Sequence, residues 1–169
     1  MTFRLADVLV SRADVEELVG PVDSPDGDDG TALDLTAAAL AEADPPAELA
    51  RLRTRQFVRG WVRTFTTTTS TSGHTVQASA YVFATEGQAE RSAEDLRHAL
   101  SAAGARLVSG LYRVGDAPER AVVGIEATGT VQYLVQKVGP SPDAQVVRAL
   151  LARVRSNVAA MRKSAASSN

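Results

Sequence analysis

The chain has 169 residues, 44% of them hydrophobic and 22% charged, with a formal net charge of −2. This is an ordinary soluble composition, long enough to bury a core without covalent staples, and its near balance of charge creates no whole-chain field that would gather nucleic acid. Cysteine is absent, which excludes disulfides, thiol nucleophiles and cysteine metal sites together.

No window approaches the roughly 18 apolar residues that span a bilayer. The N-terminus, MTFRLADVLVSRADVEELVG, carries neither a long apolar region nor a small-residue cleavage site. The expected location is therefore extracytoplasmic if a leader has been removed, and cytoplasmic otherwise. Lys137 and Lys163 are the only lysines; with heavy alanine use, that arginine bias fits a GC-rich genome.

Residues 1–10 read as a short strand or extended segment. Ser11 can cap a helix over Arg12–Val19, with Asp14 in its first turn and Gly20 past its end. Residues 21–30, PVDSPDGDDG, read as a loop. Residues 32–43 are strong helix formers stopped by Asp44-Pro45-Pro46, and 47–54 can add a helical turn. Next comes QFVRGWVRTFTTTTSTSGHTVQASAYVFA, residues 56–84, a long β-hairpin turning at Ser70–Gly73. Strict alternation puts Phe57, Arg59, Trp61, Arg63 and Phe65 on one face of its first arm and Val58, Gly60, Val62 and Thr64 on the other. In the second arm Val76, Ala78, Ala80 and Val82 oppose Gln77, Ser79, Tyr81 and Phe83. The two small aliphatic faces are expected to share one buried side.

Thr85 starts a helix with Gln88 at capping-box spacing, an apolar face through Ala89, Ala93, Leu96 and Leu100, and Gly104 at its end. Strands follow at Arg106–Val114, Arg120–Glu126 and Val131–Val138, the last two joined through Ala127–Thr130. Ser141 as cap and Pro142 at the first position open a final helix striped by Val147, Leu150, Leu151, Val154, Val158 and Met161. The expected fold is α+β, with a mostly antiparallel sheet of about five strands in the order β-β-α-β-β-β-α. Two main helices are expected on one face, and short N-terminal helices besides. The expected organisation is one structural domain: an N-terminal segment 1–55 packing on the sheet, a core 56–163 and a frayed tail 164–169.

The chemistry-bearing candidates are few. Arg51, Arg53, Arg55, Arg59 and Arg63 place five positive charges in residues 51–63 without an acid among them. With Phe57, Trp61 and Phe65 interleaved they suit an anionic or planar ligand, or single-stranded nucleic acid. The same ladder also reads as a structural face under the 21–55 segment, its rings buried and its guanidinium heads at the surface. The acidic run Asp23, Asp26, Asp28 and Asp29 does not match a calcium loop, because Gly27, Pro25, Ser24 and Val22 stand where ligands belong. His74, at a hairpin tip, and His98, on a polar helix side, read as surface residues. Neither glycine-rich phosphate motif is present, and no metal or other cofactor is expected.

Several blocks resemble the small secreted proteins of actinobacteria, mostly lipoproteins or extracellular sensor-like domains attached to membrane kinases. The opening LADVLVSRADVEELVG resembles their first helix. The block FVRGWVRTF…TVQASAYVFATEGQAERSAEDL resembles their core hairpin and capped helix, and GTVQYLVQKVG with the helix after it resembles their C-terminal part. The chain departs from them in having no lipobox cysteine and none of the paired cysteines of some relatives. The resemblance implies a non-catalytic, extracytoplasmic, sensor-like or ligand-binding domain. Its partner would be a small molecule or a protein. The expected binding surface is Phe57, Arg59, Trp61, Arg63 and Phe65 together with Tyr81 and Phe83. The alternatives are a cytosolic nucleic-acid or anion-binding protein using Arg51–Arg63, and a small enzyme with a pocket between sheet and helices.

Overall fold

A computed structural model describes residues 4–42, 44–68, 73–115, 120–140 and 143–167. A 3-10 turn at Leu5–Val8 stands where the sequence suggested an extended segment. Helix α1, Arg12–Val19, follows, with Ser11 and Asp14 bonded reciprocally in a capping box and Gly20 at its end with φ +81°. Strands β1 (Val22–Asp23) and β2 (Thr31–Leu33) come next. Helix α2 (Leu35–Leu40) is capped by Asp34, and α3 (Pro45–Thr54) by Asp44. The Asp44-Pro45-Pro46 run thus starts a helix rather than only ending one. Proline lacks an N–H that the first turn of a helix does not need, and the aspartate side chain accepts the Ala47 amide.

The hairpin is β3 (Phe57–Thr67) and β4 (Thr75–Phe83); residues 70–72 of its expected connection lie outside the described residues. Helix α4 (Glu86–Ala102) is capped by Thr85, whose side chain accepts the Gln88 amide. The expected strand 106–114 is two, β5 (Arg106–Val108) and β6 (Leu111–Val114). Ser109 and Gly110 turn the chain between them with positive φ, the geometry that joins twisted antiparallel strands. Strands β7 (Arg120–Thr128) and β8 (Val131–Gly139) precede α5 (Ala144–Ala166). Ser141 and Pro142 lie outside the described residues; Asp143 caps α5 by accepting the Gln145 amide at 2.7 Å. The helix runs into the stretch expected as a frayed tail.

The fold is α+β with a mostly antiparallel sheet, of eight strands rather than about five, in the order β1-β3-β4-β8-β7-β6-β5, with β2 also paired to β3. The three extra strands are β1, in the expected 21–30 loop, β2, at the start of the expected 32–43 helix, and the second strand made by the turn that splits 106–114. β1 pairs with the end of β3 and β2 with its middle, so together they cover its outer edge.

The two long helices lie on opposite faces, not on one. Val122 and Val123 project to opposite sides of β7. Val122 belongs to a core with Val147, Leu150, Val154 and Val158 of α5, and Val123 to one with Ala93, Leu96 and Leu100 of α4. Each helix carries a single apolar stripe, and the sheet is apolar on both faces. A stripe shows that a helix is covered on one side, not which side of the sheet covers it. The 3-10 turn and α1 share the α5 face, where Arg153 of α5 holds Asp14 at 2.6 Å and Glu17 at 2.5 Å. Helices α2 and α3 share the α4 face through Leu52, Ala38, Tyr81, Phe83 and Ala89.

Candidate functional site

The hairpin register decides where the expected surface residues go. Trp61 stands opposite Ala80, Arg63 opposite Ala78 and Phe65 opposite Val76. Directly opposed residues share a face, so the large side chains of β3 lie beside the small aliphatic side chains of β4, not behind them. The expected pairing of two small faces is corrected accordingly: large against small leaves room for the N-terminal segment and α5 to pack down. Phe65 is fully buried there with Leu5, Val8 and Val10. Arg63, 8% exposed, donates to the Val10 carbonyl at 2.9 Å and, through Nε, to that of Asp29 at 3.3 Å. Half-buried Trp61 donates from Nε1 to the same Asp29 oxygen at 2.6 Å. The cover over these residues is formed chiefly by residues 5–30.

A β-bulge at Val58 breaks the alternation between Phe57 and Arg59. It sends Phe57 to the α4 face, where its ring meets Tyr81 edge-on at 5.3 Å and Phe83 at 6.1 Å. The seven residues therefore fall into two groups on opposite faces: Phe57, Tyr81 and Phe83 on one, Trp61, Arg63 and Phe65 on the other, with Arg59 exposed at the latter side's margin.

Of the arginines in 51–63, Arg51 grips Glu48 in a fork of 2.5 and 2.7 Å, and Arg55 grips Asp95 at 2.7 and 2.9 Å. With Arg63 buried, Arg53 and Arg59 are the two that stand exposed. Among the described residues no three His, Asp or Glu side chains gather to hold a metal ion. In the acidic loop, Arg12 lies 3.7 Å from Asp28 and 4.0 Å from Asp23. His98 is exposed, whereas His74 is half-buried.

The concave site lies on the α4 face, between α4 and the α2–α3 arm. Two adjoining hollows of about 150 and about 170 Å³ share Glu42, Ser79, Tyr81, Leu134 and Gln136 and form one cleft. Its floor is a grid set by register: Gln77 opposite Gln136, Ser79 opposite Leu134 and Tyr81 opposite Gln132. Leu96 and Leu100 of α4 form an apolar wall, and Glu42, Glu48 and Arg51 a charged one.

The polar groups are linked. Arg51 donates to the Ser92 hydroxyl at 2.6 Å, and that hydroxyl donates to the Gln132 side-chain oxygen at 2.8 Å. Gln136 donates to Gln77 across the floor at 2.6 Å. The Arg51 charge is spent on Glu48, which leaves Glu42, without a salt bridge among the described residues, as the cleft's net charge. Glu42 is exposed at the rim of the cleft, and partial desolvation there, then the nearby Glu48 carboxylate, raises its pKa above the ordinary value. Burial likewise raises that of Tyr81, which stays a neutral phenol.

Of the seven expected residues only Tyr81 lines this cleft. The signal for the others was present: Gln132 and Gln136 flank Leu134 at period two in a central strand, and Gln77 and Ser79 do the same before Tyr81. Polar residues on one face of a strand read as solvent-facing until a second layer is known to lie over them.

No protein-family model matches the chain, and no curated protein sequence matches it. Among solved structures it is similar to the extracellular domain of PknH from Mycobacterium tuberculosis, with a TM-score of 0.57 and 13% sequence identity over 90% of this chain and 95% of that one. The likeness is one of fold, with an extracellular domain of an actinobacterium, and it spans nearly the full length of both chains.

Proposed function

We propose that this protein is a non-catalytic, extracytoplasmic, sensor-like domain that binds a small polar ligand in the cleft between α4 and the α2–α3 arm. The observation that carries the reading is the cleft floor. Two central strands of a sheet covered on both faces turn Gln77, Ser79 and Gln136, all half-buried, into an open hollow, with Tyr81 and Gln132 buried at its base. Polar groups converging beside an apolar wall are the usual composition of a ligand site. The fold likeness to an extracellular domain supports the location.

The electrostatics select the ligand. Glu48 and Arg51 neutralise each other, and Glu42 then favours a ligand carrying an amine, whose apolar part lies against Leu96 and Leu100. The small-enzyme reading has one observation in its favour, the raised pKa of Glu42. Among the described residues, however, the cleft offers no positioned nucleophile beside it, and Glu48 is held by Arg51. That set provides binding chemistry.

Amide NMR titration with putrescine, glycine betaine and glucose tests the site. Putrescine is expected to shift the amides of Tyr81, Gln132 and Leu134, and Glu42→Gln to weaken it at least tenfold. Cleft amides indifferent to all three probes would overturn the binding reading. Recovery of the native protein solely from the cytosolic fraction of its host would overturn the extracytoplasmic one.

A further inference from the structure

The base of the α4-face cleft is a pair of facing residues. Tyr81 of β4 stands directly opposite Gln132 of β8, and opposed residues project to the same side of a sheet. Tyr81 is 6% exposed and Gln132 only 1%, yet both line the cleft. Neither the Gln132 side-chain nitrogen nor the Tyr81 hydroxyl has a hydrogen-bond partner among the described residues, and neither atom is sealed from the hollow. A buried polar group without a partner costs free energy, and here the partner has to come from the cleft.

A relay decides what that partner must offer. A guanidinium carries only N–H donors, so the Ser92 hydroxyl accepts from Arg51 at 2.6 Å. Its one hydrogen then goes to the acceptor within reach, the Gln132 side-chain oxygen at 2.8 Å. With that oxygen held, the NH2 end of the Gln132 amide is the end left for the cleft. The neutral phenol of Tyr81 supplies a second donor beside it.

Charge then decides the kind of acceptor. Arg51 is the only cation among the described lining residues, and Glu48 grips it in a two-bond fork. No free positive charge stands at the base to balance an anion, and Glu42 at the rim repels one. An uncharged carbonyl oxygen fits, because its two lone pairs match two donors. Building on the reading of this cleft as an amine site, we propose that its ligand also carries a neutral carboxamide, whose carbonyl oxygen is held by Gln132 and Tyr81 while its amine meets Glu42. Ser92 acts through Gln132 as a positioning residue.

Three probes of similar length test this by NMR titration of the full chain. Putrescine ends in a second cation, 4-aminobutanamide in a neutral carboxamide and 4-aminobutyrate in an anion. The carboxamide is expected to bind roughly fivefold tighter than either of the others, or more, and to shift the side-chain amide signals of Gln132. Tyr81→Phe, which keeps the ring, and Gln132→Met should each lower the ratio of carboxamide to putrescine affinity. So should Ser92→Ala; a merely structural role would lower both affinities together, and an unchanged ratio there would overturn the relay. If a variant does not fold, the affinity order of the wild-type chain and its Gln132 side-chain signals decide. Putrescine binding as tightly as the carboxamide would overturn this inference and leave the amine site standing. Tightest binding of 4-aminobutyrate would overturn it as well, since the Arg51 charge would then be available to ligand. Cleft amides indifferent to all three probes would overturn the amine site itself, and this inference with it.

Discussion

Arg51 Nη1 lies 2.6 Å from the Ser92 hydroxyl, so an arginine of α3 is bonded to α4 and, through that hydroxyl, to Gln132 of β8. Three elements that meet at the cleft are joined by one fully buried oxygen. Ser92→Ala removes both bonds and leaves the Gln132 oxygen without its donor. The expected cost is about 1–3 kcal/mol, read as a lower urea midpoint at unchanged slope.

Arg63 is the clasp of the opposite face. Arg63→Met keeps the apolar stem but strips the donors from the Val10 and Asp29 carbonyls. A loss of about 1–3 kcal/mol is expected. Hydrogen exchange should locate it, with faster exchange in residues 5–30 than in β7 and β8.

Gly30→Ala should be among the costliest single substitutions. Gly30 has φ +73°, and a Cβ there would stand 2.4 Å from the Val62 carbonyl oxygen. A left-handed non-glycine residue alone costs roughly 1–2 kcal/mol, and the clash with backbone adds to that because β3 cannot yield. A melting temperature equal to wild type would contradict this account of the 21–30 loop.

Glu42 sets one pH dependence. Its folded-state pKa is raised above 4.5, so the folded protein binds that proton more tightly than the unfolded chain does. Stability from this group is present below 4.5 and is lost as pH rises through the folded value. Glu42→Gln removes the loss. The variant should gain melting temperature relative to wild type above that window, with the difference vanishing on acidification.

Asp95 has the opposite sign. The side-chain bond from Arg55 is the leading cause holding its pKa below 3.8, against the opposing effect of burial. Its contribution is present above the unfolded value and is lost as pH falls through the folded one. Asp95→Asn should therefore melt below wild type at pH 7, and the two should converge under strongly acidic conditions.

Local signals set the elements. The Ser11 and Thr85 caps, the left-handed glycine ending α1, the alternation in β3 and β4 and the stripe of α5 were all legible, because each depends on neighbours within a few residues. The bulge at Val58 was not, since no residue type there demands it. It moved Phe57 to the other face. The hairpin register was not legible either, and it placed Trp61, Arg63 and Phe65 with the small aliphatic residues rather than apart from them.

By itself, then, the chain determined an α+β architecture, the Ser11 and Thr85 helix caps and the apolar stripe of the last helix, because propensity and hydrophobic period act over short range. Which face each helix covers, that Arg63 is buried beneath the N-terminal segment, and that Glu42, Tyr81 and Gln132 meet at one cleft were decided only by tertiary structure. Those relations join residues tens of positions apart through strand register and layer packing. No local pattern records how two layers choose each other.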